Sequence, residues 1–352
     1  MKVLVITPDI HRLGGVANHY LGLKSQWTLD VEYMYLGKRK ENEKKWVTAL
    51  HYVADYCRFS KALRNQKYDV VILNPSLRSF QIKSNAMYIR IAKLWGCKVI
   101  TFIHGFGHDY YAQLKKHPGQ FTSIYNYSTF IYVLYSEYAR LLRDIGITTP
   151  ILQTTTKVAE ESRDSIQQTL PRQSIENLLF VGRLVKEKGI SESLKAFDVL
   201  SNKDICKGFV ICGEGPERIN IINWSNEHNK NVLCKGVLTG NDLANAYKTA
   251  DVLFLLSYGE GLATCVLEAM AFGLVIIATP VGGINDFFED GKMGYLVNKD
   301  DTQYIIDKIE YLAKHPAVVQ QISTYNMNYA KQHYMASAVA KQIENDIIKY
   351  CS

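Results

Sequence analysis

Short apolar runs alternate with longer stretches of helical periodicity along almost the whole chain. Val3–Thr7, Val31–Tyr35, Asp69–Leu73, Lys98–Ile103 and Phe130–Leu134 read as strands. They are short, rich in β-branched residues and bounded by turn residues, as strands of a covered parallel sheet are. Helical patterns fall between them, around Gly15–Gln26, Ala49–Asn65, Asn85–Leu94 and Glu137–Ile145. A polar segment, Thr154–Ser174, breaks the rhythm and reads as a domain linker. The rhythm resumes with Leu178–Val181, Gly208–Cys212, Asn231–Cys234, Asp251–Leu256, Leu274–Ala278 and Gly294–Val297. From Thr302 onward the pattern is helical. The alternation predicts an α/β protein of two Rossmann-like, doubly wound domains facing each other across a deep cleft. No repeat of 20–50 residues runs through the chain.

A length of 352 residues agrees with two domains, and 47% hydrophobic with 21% charged residues is ordinary for a globular chain. The opening apolar run is stopped by Asp9, too early for a signal peptide. The longest apolar window, Gly261–Pro280, contains Glu268 and does not read as a membrane span. Seven cysteines form no CxxC pair and read as reduced thiols of a cytoplasmic protein rather than a disulfide framework or zinc site.

Charge changes this picture in one respect. Through residue 170 there are 23 Lys+Arg against 13 Asp+Glu, a balance of +10; the remainder holds 18 against 21, a balance of −3. The basic clusters are Lys38–Lys45, Lys115/Lys116, and Arg58, Lys61 and Arg64 at helical spacing. They point to a solvated helix face, or to an anionic partner of the first half alone: the cytoplasmic face of the inner membrane or a lipid diphosphate, with no nucleic acid.

Chemistry concentrates in the turns that follow strands. Tyr258–Met270 (YGEGLATCVLEAM) places Glu260 and Glu268 eight positions apart, around a turn leading from a strand into a helix. In parallel sheets this edge is where ligands bind. Val181–Gly189 (VGRLVKEKG) places Arg183 and Lys188 on a turn before a helix, two cations suited to a diphosphate or simply two surface bases. Gly14 and Gly15 follow the first strand and open a helix, where backbone N–H groups can approach a phosphate. Cys212–Pro216 (CGEGP) marks a tight turn. Thr101–His108 (TFIHGFGH) ends a strand on His104, with Gly105 and Gly107 expected to keep the loop open to a ligand.

Taken in order, the Gly pair, GRL(x3)KG, GEGP, the E(x7)E segment running into EAMAFGLVIIAT, and PVGG resemble the family 4 retaining glycosyltransferases of GT-B fold. The match covers residues 1–20, 98–106 and nearly all of 178–300. It implies an N-terminal acceptor-side domain over 1–165, a nucleotide-sugar-binding domain over 175–330, and a C-terminal helix, 331–352, packing back toward the first. Arg183 and Lys188 match the basic pair that holds the donor diphosphate. Glu268 matches the ribose-binding carboxylate, and Glu260 the one near the transferred sugar. Gly14, Gly15, Gly182, Gly213, Val237, Leu238, Gly261, Leu262, Ala263 and Thr264 complete the implied donor-binding set, with the nucleobase resting along Lys235–Leu238. His104 matches the histidine near the donor sugar; with Arg183, Lys188 and Glu260 it makes up the implied catalytic set. The family's Asn-Gly-Val-Asp-like motif is replaced here by ILQTTTKVAEE, with Thr154–Thr156 as candidate substitutes.

The expected activity is transfer of a sugar, with retention, from a nucleotide-diphosphate sugar (a UDP-sugar) to a saccharide or polyprenyl-diphosphate-linked acceptor in bacterial O-antigen, capsule or lipopolysaccharide synthesis. Domain closure is expected to bring Gly15 and His104 onto the donor. Carboxylates eight helical positions apart lie about 12 Å apart, further than the two acids of a glycosidase. The chain has no Asp-x-Asp triplet, so no metal and no other cofactor is expected. A nicotinamide oxidoreductase is disfavoured by the lack of G-x-G-x-x-G after the first strand. A nucleotide-sugar epimerase on a similar fold and a silent nucleotide-sugar-binding module are the alternatives. Tyr110, Tyr111, Tyr125 and Tyr127 are candidates for stacking on an acceptor sugar.

Overall fold

The computed structural model of the chain describes residues 1–9, 15–36, 44–159 and 162–352. Met1–Thr156 with Val339–Ser352 form one compact unit, and Lys157–Ala338 form a second.

The first unit contains β1 (Lys2–Thr7), β2 (Asp30–Tyr35), β3 (Val70–Leu73), β4 (Ser76–Leu77), β5 (Lys98–Ile103), β6 (Gly105–Phe106), β7 (Phe130–Val133) and β8 (Ile151–Gln153). Six of them pair in the order β2-β1-β3-β5-β7-β8, all parallel. All residues of β3 and β7 are buried, because helices cover both faces of the sheet. The strand order reverses between β1 and β3.

The second unit contains β9 (Asn177–Val181), β10 (Gly208–Cys212), β11 (Val232–Gly236), β12 (Val252–Leu255), β13 (Val275–Ala278) and β14 (Gly294–Leu296). They form a parallel sheet in the order β11-β10-β9-β12-β13-β14. This doubly wound order reverses between β9 and β12, and in such sheets ligands bind outside the carboxyl ends of the strands at that reversal. Arg183 and Lys188 leave β9, and Glu260 leaves β12.

The expected strands form, and the helices occupy somewhat different spans. The first helix ends at Leu23, the second runs Lys45–Gln66 and the third Ser79–Leu94. Two helices, His108–Lys116 and Gly119–Tyr125, occupy a stretch outside the expected helical spans. The TFIHGFGH loop is not open: β6 pairs with β4, and Phe106 stacks on Tyr138 at 4.5 Å.

The chain passes from the first unit to the second within the segment read as a linker, and residues 157–174 of it are built into the second unit. Val158 N–H donates to the Tyr334 carbonyl at 2.6 Å, and Arg163–Gln167 is helical. The Arg172 guanidinium donates to the carbonyls of Ala250, Tyr247 and Lys248. Thr169 and Arg172 are polar because they bridge backbone, while Arg163, Asp164, Gln167, Gln168, Gln173 and Ser174 face solvent. The last helix, Ala336–Cys351, anchors in the first unit through buried Glu344, whose carboxylate accepts from Thr28 N–H, the Thr28 hydroxyl and Leu29 N–H at 2.5–2.8 Å. Asp346 accepts from the Tyr132 hydroxyl at 2.7 Å.

Candidate functional site

The turn after β9 carries two cations in different circumstances. Lys186–Lys188 makes one tight helical turn that Gly189 terminates at φ +68°, where a Cβ would fall 2.0 Å from the Leu256 carbonyl oxygen. Only glycine lets the cation turn lie against the end of β12. The contact continues outward, as Tyr258 N–H donates to the Glu187 carbonyl at 2.8 Å.

Lys188 and Glu260 are therefore a direct pair. The ammonium lies 2.6 Å from both carboxylate oxygens, with the side chains only 17% and 8% exposed. Ser257, fully buried, donates to the same carboxylate at 2.5 Å, and its own carbonyl accepts from Thr279 at 2.5 Å. Residue reading assigned Lys188 to phosphate and Glu260 to sugar; the fold joins them in one hydrogen-bonded group and adds Ser257, which nothing in the residue pattern marked. Arg183 remains exposed and makes no ion pair among the described residues.

Gly282 of the PVGG run supports this loop from behind. Its φ is +56°, and a Cβ would lie 2.0 Å from the Glu260 carbonyl oxygen. Gly283 N–H donates to the Gly261 carbonyl at 2.8 Å. Gly182 and Gly213 meet as backbone at the ends of β9 and β10, and Glu214 pairs with Arg218. Val237 and Leu238 follow β11, the first exposed and the second half-buried. Gly261 and Leu262 lie in the Glu260 loop, Ala263 caps the helix Thr264–Ala271, and Thr264 opens it.

Glu268 sits one turn into that helix, half-buried, accepting from the Tyr247 hydroxyl at 2.7 Å. Burial holds its carboxyl above the ordinary Glu value of 4.5, opposed by the Tyr247 hydrogen bond and by the charge of Lys157. Lys157 is 4% exposed and belongs to the segment read as a linker. Between the two acids, burial and both carboxylates push the Cys265 thiol well up, so it stays protonated.

His104 lies in the first unit at the end of β5. Its Nε2 is 2.9 Å from Asn74 Oδ1, and its ring stacks on Phe102 at 3.6 Å. Asn74 Nδ2 donates to the Ile6 carbonyl at 2.8 Å, which orients the amide so that Oδ1 accepts from both His104 and the Tyr20 hydroxyl. Nε2 therefore carries the proton and Nδ1 is the acceptor. Burial and nearby His19 hold the imidazole well below its usual 6.5, so it is neutral at neutral pH. The nitrogen of His104 not bonded to Asn74 thus has acceptor character. Gly15 begins the helix Gly15–Leu23 and a Cβ there would meet nothing within 4 Å; Gly14 lies outside the described residues, as does most of Lys38–Lys45. Of the tyrosines expected to stack on an acceptor, Tyr125 is core, donating to the Ile82 carbonyl, and Tyr110 and Tyr111 pack against that core. Tyr127 is exposed beneath the Lys93 ammonium, 3.3 Å from its ring centre.

Residues 162–329 match the family described as glycosyl transferases group 1, over the unit that carries Arg183, Lys188, Glu260 and Glu268. This part of the chain belongs to that family. The capsular polysaccharide biosynthesis glycosyltransferase CapM of Staphylococcus aureus is 28% identical over 171 residues, 47% of this chain and 44% of CapM. The matched stretch spans less than half the length of the first curated relatives. Among solved structures, the lipopolysaccharide outer core galactosyltransferase WaaB has a TM-score of 0.69 at 18% identity, over 99% of each chain. HepE of Anabaena, solved in complex with UDP, gives 0.69 at 12% identity over 99% of this chain and 100% of HepE. The fold is that of GT-B glycosyltransferases.

Proposed function

We propose that this chain is a retaining glycosyltransferase that moves a sugar from a nucleotide-diphosphate sugar, a UDP-sugar, to a saccharide or polyprenyl-diphosphate-linked acceptor in bacterial surface-polysaccharide synthesis. The observation that carries the reading is the Lys188–Glu260–Ser257 group beside Arg183 at the switch point of a group 1 domain. UDP in HepE and the capsular and lipopolysaccharide roles of CapM and WaaB support donor and pathway class.

Each residue then has a role set by its surroundings. Lys188 spends two of its three N–H donors on Glu260 and keeps one for a phosphate oxygen. Its charge is balanced by Glu260, so the uncompensated cation facing a diphosphate is Arg183, a planar fork suited to two oxygens. Stabilising the leaving diphosphate in this way needs no metal. Glu260 orients the transferred sugar and Glu268 the ribose hydroxyls. The acceptor hydroxyl attacks from the leaving-group face and the departing phosphate takes its proton, which retains configuration.

The first unit supplies a membrane-facing surface in this reading. The helices Lys45–Gln66 and Ser79–Leu94 pack through Tyr56 and Tyr88 and expose Leu50, Val53, Met87 and Leu94 with Lys61, Arg64, Lys83 and Arg90. Apolar side chains interleaved with bases suit the interface of an anionic bilayer. No described helix is long and apolar enough to cross a membrane.

The test is a panel of nucleotide sugars scored for binding and hydrolysis with EDTA present, on the protein and on Arg183→Ala. UDP-sugar turnover insensitive to EDTA and reduced about 10²–10³-fold in the variant supports the proposal. Normal turnover by Arg183→Ala, or release of an epimerised nucleotide sugar, overturns it.

A further inference from the structure

Among the described residues, three pairs are hydrogen-bonded between residues 187–192 and residues 258–260. Two belong to the site above: Lys188 with Glu260, and the Tyr258 N–H with the Glu187 carbonyl. The third lies further out, where the Tyr258 hydroxyl donates to Glu192 Oε1 at 2.9 Å. Glu192 stands in the first turn of the helix Ile190–Asn202, which begins just after Lys188. One element thus holds the loop after β12 by two side chains, Tyr258 and Glu260.

Tyr258 is 49% exposed, so burial does not fix it in place. Its ring lies under the Lys299 ammonium, 4.4 Å from the ring centre, and Lys299 is itself bonded to Asp300. Glu192 Oε2 is buried and accepts no hydrogen bond. A carboxylate oxygen held out of water without a partner is destabilising, and the contact that Glu192 does make is the one to Tyr258. Beyond Tyr258 the loop is packed on one side only. Gly282 closes against the Glu260 carbonyl, whereas a Cβ at Gly259 or Gly261 would meet nothing within 4 Å. Glycines on both sides of Glu260 leave its backbone free to turn. Its side-chain direction is therefore set by the pair with Lys188 and by the strut at Tyr258.

In the proposed function Lys188 also faces a phosphate oxygen, and an ammonium shared with a diphosphate holds Glu260 less firmly. We infer that Tyr258, through its bond to Glu192, is a positioning residue that keeps Glu260 directed at the transferred sugar while Lys188 serves the diphosphate. The inference rests on that function for the sugar and the diphosphate, and on the three bonded pairs alone for the strut.

Tyr258→Phe keeps the ring under Lys299 and removes only the hydroxyl. Glu192→Ala removes the acceptor, and Glu192→Gln keeps an oxygen to which the hydroxyl can donate. The measurements are kcat and KM for nucleotide-sugar turnover, Tm, and hydrogen exchange of the amide at position 258, in these variants and in the Tyr258→Phe/Glu192→Ala double variant. Tyr258→Phe and Glu192→Ala should each lower kcat about 10-fold, as the loss of one hydrogen bond to a charged group does, with donor KM and Tm held. Exchange of the amide at 258 should quicken in both, since that N–H is bonded to the Glu187 carbonyl. The double variant should be no slower than either single one, and Glu192→Gln should keep most of the parent's kcat. A parental kcat in Tyr258→Phe, a loss confined to KM, or losses that multiply in the double variant would each overturn the positioning role. If the parent turns over no nucleotide sugar, the transferase reading fails, and exchange alone decides the strut: faster exchange in both single variants keeps it, and unchanged exchange overturns it.

Discussion

Lys188 and Glu260 cannot be changed one at a time without a second effect. Removing either partner leaves a charge in a largely buried place, which for buried pairs costs about 3–5 kcal/mol. With side chains 17% and 8% exposed, the lower end of that range applies here. Lys188→Ala and Glu260→Ala should each lower Tm as well as cut turnover by orders of magnitude. The double variant should recover most of the stability and none of the activity. Thermal denaturation beside turnover checks this, and single variants at wild-type Tm would contradict the pairing. Glu268 carries the opposite kind of prediction. Its folded-state pKa is raised by burial, so the group stabilises the fold fully below its ordinary value of 4.5, and that contribution is lost as pH rises through the raised value. In the proposed function donor binding needs the Glu268 carboxylate and should run the other way, weakening as pH falls through the same window. Glu268→Gln should be more stable than the parent at neutral pH and bind nucleotide weakly, without that pH dependence. Calorimetric binding and melting from pH 4 to about 8 test both signs. At this scale the sequence pointed to the residue types of the site and not to their partners. Ser257, Tyr247, Lys157 and Asn74 are chemically ordinary until the fold sets them against Glu260, Glu268 and His104.

The elements that hold these residues are strand ends and the turns that follow them, and the turns are fitted to one another through backbone. Gly189 lies on Leu256, Gly213 on Gly182, and Gly282 on Glu260. Gly282→Ala should therefore act on catalysis, since a Cβ 2.0 Å from the Glu260 carbonyl oxygen must displace that loop. A loss of about 1–3 kcal/mol in stability together with a large fall in kcat/KM is expected. Gly259→Ala, in the same loop but with nothing within 4 Å, should melt nearly as the parent does. The strands and most helices were legible because apolar periodicity reports burial directly. His108–Lys116 and Gly119–Tyr125 were not, since helices of only 9 and 7 residues owe their existence to the core they dock on. The closure of the TFIHGFGH loop by β4 and β6 was likewise invisible, being a pairing between segments about thirty residues apart.

For the molecule as a whole, charge divides with the fold. The unit of Met1–Thr156 and Val339–Ser352 holds 23 Lys+Arg against 12 Asp+Glu, or +11, and the other holds 18 against 22, or −4. A membrane-bound enzyme of this design should float with anionic liposomes and remain in solution with neutral ones. Lys61→Glu with Arg64→Glu should abolish flotation while leaving donor hydrolysis intact. Indifference to lipid charge would dismiss the membrane surface. By itself, the order of apolar runs and motif turns determined an α/β protein with a donor-type edge after β9 and β12, because strand, turn and helix signals are local. Tertiary structure alone decided that Lys188 pairs with Glu260, that His104 Nε2 donates to Asn74, that residues 157–174 lie in the second unit, and that Tyr258 reaches Glu192. Those facts depend on which distant atoms meet and on how much water is excluded where they do, and neither is written in the spacing of residues along the chain.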